Sequence, residues 1–214
     1  IFTGKGTPVY VSGWLPISEG WNPEWATRFD SLYGYNPAKA KALLKEAGYP
    51  EGTIKVKIVA FTDPGESEGP LVAEALGVYF QDVGIDATIE TLDVAKVRDM
   101  SRSKNTHCCI HPNIIGWRPS EERIRSHNSH AVGSSFQNEF IEKRYQALTQ
   151  SVDFGERQRI AQEVGDHLFE DFAAIPLFWL YNEVAVNPKV VAEWTYPGLG
   201  GGRSTHYHLL KAAK

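Results

Sequence analysis

The side chains with the most chemistry to offer lie between positions 111 and 130. Arg118, Arg123 and Arg125 place three guanidinium groups within eight residues, with Ser120, Glu121 and Glu122 between them. A guanidinium is a rigid fork of donors that matches a carboxylate bidentately, so this run could hold an anionic or hydroxyl-rich ligand group. The competing reading is a solvated basic loop. His111, His127 and His130 lie in the same stretch. A His/Glu/Arg set at 111–130 is also what a small α/β hydrolase-type enzyme would use.

Metal and nucleophile chemistry find less support. Seven His and two Cys are present. His107 and His111 would share a strand face but stand roughly 13 Å apart, too far to chelate one ion. His206 and His208 fall near the end of the chain. Cys108 and Cys109 are adjacent, with Cα atoms ~3.8 Å apart, closer than an ordinary disulfide allows. They read as two small buried apolar side chains. The patterns HExxH, CxxC, GxSxG, GxGxxG and GxxxxGK[ST] do not occur. No catalytic residue, metal ligand or cofactor is therefore assigned.

Composition narrows the partners. The formal net charge of −4 and the lack of a long basic run argue against nucleic acid. No run of about 18 apolar residues suggests a transmembrane helix. Residues 1–10 lack the pattern of a signal peptide, and the first residue is Ile1 with Met100 as the sole methionine. The expectation is a chain processed or excised from something longer. Twelve per cent aromatic residues, six of them Trp, suit either a large core or a ligand cleft.

These residues need a scaffold, and the pattern predicts one. Residues 1–35, rich in Gly and Pro, read as an irregular lead-in wrapped over a surface. Asn36 and Pro37 open a helix that Gly48 ends. Residues 54–61 alternate as a strand. Leu71, Val72, Ala75, Leu76, Tyr79, Phe80 and Val83 form one helical face, closed by Gly84. A strand follows at 85–92, a short helix at 94–103 and a third strand at 107–115. Strands alternating with helices predict parallel pairing. Asn138 caps a helix with Ile141, Tyr145 and Leu148 inward. The next helix carries Ile160, Ala161, Val164, Leu168 and Phe172 on one face. A strand is expected at 175–181, another at 183–186, and a glycine-rich flexible segment at 195–205.

Several of these segments, in this order, match a family pattern. Tyr35–Asn36–Pro37–Ala38–Lys39–Ala40–Lys41–Ala42–Leu43–Leu44 followed by Ala47–Gly48–Tyr49–Pro50 resembles a conserved-type stretch of the peptide/nickel solute-binding proteins of ABC transporters, family 5. Gly84–Ile85, Thr91–Leu92–Asp93, Gly116–Trp117 and Ala174–Ile175–Pro176–Leu177 also fall where that family has similar residues. The resemblance covers about residues 30–190. It implies an α/β, periplasmic-binding-protein-like lobe with a mixed, largely parallel sheet flanked by helices. The lobe would span 36–194, with 1–35 as lead-in and 195–214 as a tail returning toward a missing lobe.

The implied function is the solute-binding component of an ABC importer, not an enzyme. It would capture a peptide-like or other small solute between two lobes and deliver it to the permease. Its partners would be the solute, the N-terminal lobe of the same protein and the permease subunits. Its place would be periplasmic or extracellular, with membrane anchoring open to the full-length precursor. By resemblance the ligand residues are Trp117, Arg118, Ser120, Glu121 and Arg123, with Phe61 and Thr62 at a strand end. Peptide binders of the family often carry an acid where Ser120 stands. A neutral hydroxyl gives an ammonium no charge-assisted bond, although Glu121 or Glu122 could compensate.

Overall fold

The structure is a computed structural model, described for residues 4, 6–62, 67–106, 109–110, 119–127, 138–172, 174–180, 185–194 and 207–214. Among the expected features, His107, Cys108, His111, Gly116, Trp117, Arg118, His130 and the segment 195–205 lie outside these residues.

The described elements run β1 (Gly6–Pro8), α1 (Glu24–Tyr33), α2 (Pro37–Glu46), β2 (Lys55–Ala60), α3 (Gly69–Asp82), β3 (Asp86–Thr91), α4 (Val94–Arg102), α5 (Ser120–Ser126), α6 (Glu139–Gln150), α7 (Phe154–Asp171), β4 (Phe178–Leu180), β5 (Val191–Glu193), a 3-10 turn (Tyr207–Leu209) and β6 (Lys211–Ala212). Local chemistry sets most boundaries. The Asn36 side chain accepts from the Lys39 amide ahead of Pro37, and Asp93 accepts from the Ala95 amide to start α4. Gly48 and Gly84 follow α2 and α3 at φ +83° and +87°.

β2 and β3 pair in parallel, from Lys55 opposite Asp86 to Ala60 opposite Thr91, with α3 crossing between them. Ile110 bridges Ile58 in parallel on the other side of β2, through Val59 N–H to Ile110 O at 2.8 Å and Ile110 N–H to Lys57 O at 2.8 Å. β2 is thus internal to the sheet. Its last three residues, Ile58, Val59 and Ala60, are all buried, whereas Lys55 and Lys57 keep the alternation. Ala60, Ile58, Ala87 and Ala73 of α3 form a small core.

The larger core lies elsewhere. Val11, Trp14 and Trp25 meet Ile124 of α5, Ile141 and Leu148 of α6, and Ile160, Ala161, Val164, Leu168 and Phe169 of α7. The segment expected to lie irregularly on a surface therefore supplies two fully buried tryptophans and contains α1. Its Gly and Pro residues hide the helix at 24–33, whose only buried side chain is Trp25. Trp25 Nε1–H donates to Asp166 at 2.7 Å and Asn22 donates to the same oxygen at 2.9 Å. The indole polar atom is thus satisfied as the ring is buried.

Three details differ from the periodic reading. Phe172 is 57% exposed, and Phe169 is buried in its place, because α7 ends at Asp171 and Phe172 turns into the left-handed region at φ 51°. On α3 the buried residues are Val72, Ala73 and Gly77, while Leu71 and Tyr79 are half exposed. The sheet contacts the helix through its small residues, with Ile89 lying over Gly77. The chain end also folds back: β6 pairs antiparallel with β5, and Lys211 bonds Glu193 at 2.6 Å. β4 pairs antiparallel with β1, so the described sheets mix both senses.

The N-cap of α6 offers a direct check on the second core. Asn138 Oδ1 accepts from the Phe140 and Ile141 amides at 2.9 and 3.3 Å, and its Nδ2 meets His167 of α7 at 2.8 Å. Asn138→Ala should cost about 1–2 kcal/mol from the lost cap, read as a lower midpoint in urea unfolding. An unchanged midpoint would show that α6 is held by packing alone.

Candidate functional site

α5 is the described part of the expected ligand loop. Pro119 precedes it, Glu121 and Glu122 occupy its first turn and Arg123 and Arg125 its last. This charge order suits the helix dipole. One stripe, Ser120, Arg123 and Ile124, is buried, with exposures of 1%, 2% and 0%. Glu121 and Arg125 are exposed. The helix therefore divides the expected site residues: Ser120 and Arg123 turn inward and Glu121 outward.

The buried pair grips the lead-in. Arg123 donates to the carbonyls of Gly13 at 3.2 Å and Glu19 at 3.0 Å. Its guanidinium carbon stands 4.5 Å from the centre of the Trp14 ring, where a desolvated cation–π contact contributes about 2 kcal/mol. Burial pulls its pKa down to about 10, with the Glu19 carboxylate acting in the opposite sense, so Arg123 stays charged at neutral pH. The Ser120 hydroxyl donates to Glu19 Oε2. Glu19 Oε1 faces Arg157 Nε of α7 at 3.5 Å. The Gly20 amide donates to the Gln158 side chain at 2.5 Å. Gly13 and Gly20 take φ values of +86° and +75°, which let the chain turn under Arg123 and against α7.

Both hydrogen-bonding side chains on this stripe are thus occupied by the protein itself. Sequence reasoning missed Glu19 and Trp14 as their partners, and Arg157 as the partner of Glu19, since about 100 residues separate Glu19 from Ser120 and no local signal links them.

Phe61 and Thr62 follow β2 directly, Phe61 half-buried and Thr62 exposed. They border the small core, whereas α5 belongs to the larger one. Among the described residues, no hydrogen bond or ring contact joins them to Ser120, Glu121 or Arg123. His127, just after α5, occupies a narrow cleft with Tyr10, Val11, Ser12, Tyr33, Leu168 and Pro176. Burial lowers its pKa to about 4. Among the described residues, none that lines the cleft is a carboxylate. Among the described residues there is no group of three or more His, Cys, Asp or Glu able to hold a metal.

A parallel β–α–β unit joined to a helical layer defines the chain as an α/β protein. Comparison with known proteins gives the family. Residues 1–134 match the model of the bacterial extracellular solute-binding proteins, family 5 (middle region), and the chain belongs to that family. The glutathione-binding protein GsiB of Salmonella choleraesuis is 22% identical over 211 residues, covering 93% of this chain and 39% of that protein. Among solved structures, AgaA of A. tumefaciens R10, in complex with agropinic acid, matches with a TM-score of 0.68 at 20% identity, over 84% of this chain and 36% of AgaA. DppA of Helicobacter pylori, in complex with the peptide STSA, matches with a TM-score of 0.65 at 18% identity, over 84% of this chain and 35% of DppA. The chain spans well under half the length of these relatives. None of its described helices is long and apolar enough to cross a membrane.

Proposed function

We propose that this chain is part of the solute-binding component of an ABC importer, acting outside the cytoplasm and delivering a small solute to the permease. The match to the family model over residues 1–134 carries this reading. The likeness in fold to AgaA and DppA, each described with a small ligand, supports it. Binding rather than catalysis is the activity. The solute would lie between this lobe and the rest of the protein, whose precursor would be secreted or membrane-anchored.

Trp117 and Arg118 precede α5 in the sequence, and Phe61 and Thr62 follow β2. We assign the direct contacts to these four and to Glu121. Ser120 and Arg123 act from behind, because the Ser120 hydroxyl and the two terminal nitrogens of Arg123 are engaged by Glu19 and Gly13, and the guanidinium lies over Trp14. Glu121 then supplies the carboxylate that Ser120 lacks, which favours a solute with a cationic group, such as a peptide.

The test is calorimetric titration of the full-length protein with glutathione, a tetrapeptide, agropinic acid and mannohexaose. At least one should bind saturably. Glu121→Gln and Phe61→Ala should each weaken it by about tenfold, or 1.4 kcal/mol. No saturable binding would sink the solute-binding reading. Binding untouched by both substitutions would leave that reading intact and remove these site residues.

A further inference from the structure

α5 holds the lead-in at both of its ends. At its start, Ser120 and Arg123 engage Glu19 and Gly13. At its other end, His127 enters the cleft beside Tyr10, Val11 and Ser12, with Tyr33 of α1 and Leu168 of α7 closing the sides. The cavity there is only about 10 Å³, enough for roughly one water and not for a hydrated imidazolium.

Among the described residues, none that lines the cleft around His127 is an acid. The titratable side chains facing it in the cleft are Tyr10 and Tyr33. The Tyr33 hydroxyl donates to the Phe169 carbonyl, and burial together with Glu170 raises its pKa, so it stays neutral. Of the acids of α7 near Leu168 and Phe169, Asp166 is bonded to Asn22 and Trp25 and Glu170 to Arg28, while Asp171 at the end of the helix is exposed and does not line the cleft. On α5 itself, Arg123 lies one turn back and adds a positive charge, while Glu121 is exposed and Glu122 partly so. A proton on His127 would be a cation facing the apolar walls and the two tyrosine rings of the cleft.

We propose that His127 is an acid-released latch: neutral, it fills the cleft and fastens the C-terminal end of α5 to residues 10–12; protonated, it leaves the cleft and frees both. The Ser120–Glu19 end stays closed, so the release is local.

The sign follows from the two protonation equilibria. Burial lowers the pKa of the latched imidazole to about 4 from its ordinary 6.5. Above pH 6.5 both forms are neutral and the latch is indifferent to pH. Between 6.5 and 4 the released form binds a proton that the latched form does not, so the latched fraction falls as pH falls.

Amide hydrogen exchange of this chain at pH 7 and pH 4.5, corrected for intrinsic rates, tests the proposal. The Trp14 and His127 amides, bonded to Val11 and Ile124 carbonyls, should lose at least tenfold of their protection at pH 4.5. The Val59 and Leu92 amides of the sheet should not. His127→Gln, which cannot titrate, should hold the same protection at both pH values, and His127→Leu serves equally if the Gln variant does not fold. The His127 ring resonance, followed by NMR, should titrate below pH 5. Ring titration near pH 6.5, equal loss in the sheet, or loss that persists in the substituted chains would each overturn the latch.

Discussion

Ser120→Asp is expected to destabilise this chain by roughly 3 kcal/mol or more at pH 7.5. The substitution introduces the acid that the family resemblance implied for this position. In this chain position 120 is only 1% exposed, and its hydroxyl donates to the Glu19 carboxylate. An aspartate there would lose the donor and set a second carboxylate against the first. The terminal nitrogens of Arg123 already serve the Gly13 and Glu19 carbonyls, and one guanidinium carries one positive charge against two carboxylates. Removing the first charge should relieve the clash, so Glu19→Gln in the same chain should recover about half the loss or more. Urea unfolding of the single and double variants gives the coupling directly. The Asp variant should also recover stability relative to the unsubstituted chain as pH falls toward 4.5, when one carboxyl of the pair takes up a proton. A loss below about 1 kcal/mol, or one indifferent to Glu19→Gln, would show that the two groups are not in contact.

Gly20→Ala is the second large effect, at roughly 4 kcal/mol. Gly20 has φ +75°, where an L side chain costs about 1–2 kcal/mol. A Cβ there would also stand 2.5 Å from the Gln162 nitrogen and 2.6 Å from the Ala161 carbonyl carbon, both backbone atoms of α7. Neither can rotate away. Residues near 20 would have to lift off α7, loosening Gln158 from the Gly20 amide and uncovering Trp14 and Trp25. Gly48→Ala is the control. It shares a positive φ of +83°, but nothing lies within 4 Å of its Cβ direction, so only the conformational cost should remain. Thermal unfolding of the two variants separates strain from close approach. Equal losses would mean that the lead-in does not press on α7 at Gly20.

These two substitutions mark where sequence reading stops. Short-range chemistry was readable: Asn36–Pro37 and Asn138 cap their helices as their positions suggest, and Gly48 and Gly84 follow α2 and α3. The alternation at 54–61 and 85–92 marked β2 and β3, and their parallel pairing followed from the helix between them. The ordered segments pointed to the family that the match over residues 1–134 gives. Each of these signals is carried by residues within about a dozen positions of one another.

What the tertiary structure alone decided is the fate of α5. From its sequence, Ser120 and Arg123 were ligand candidates equal to Glu121. The helical repeat places Ser120, Arg123 and Ile124 on one stripe, but whether that stripe meets solvent or protein depends on what lies opposite. Trp14, Glu19 and Gly13 lie there, about 100 residues earlier in the chain. Burial of those tryptophans and pairing of Glu19 with Ser120 arise only when the lead-in docks on α5 and α7. That docking is a long-range contact, and no local spacing encodes it.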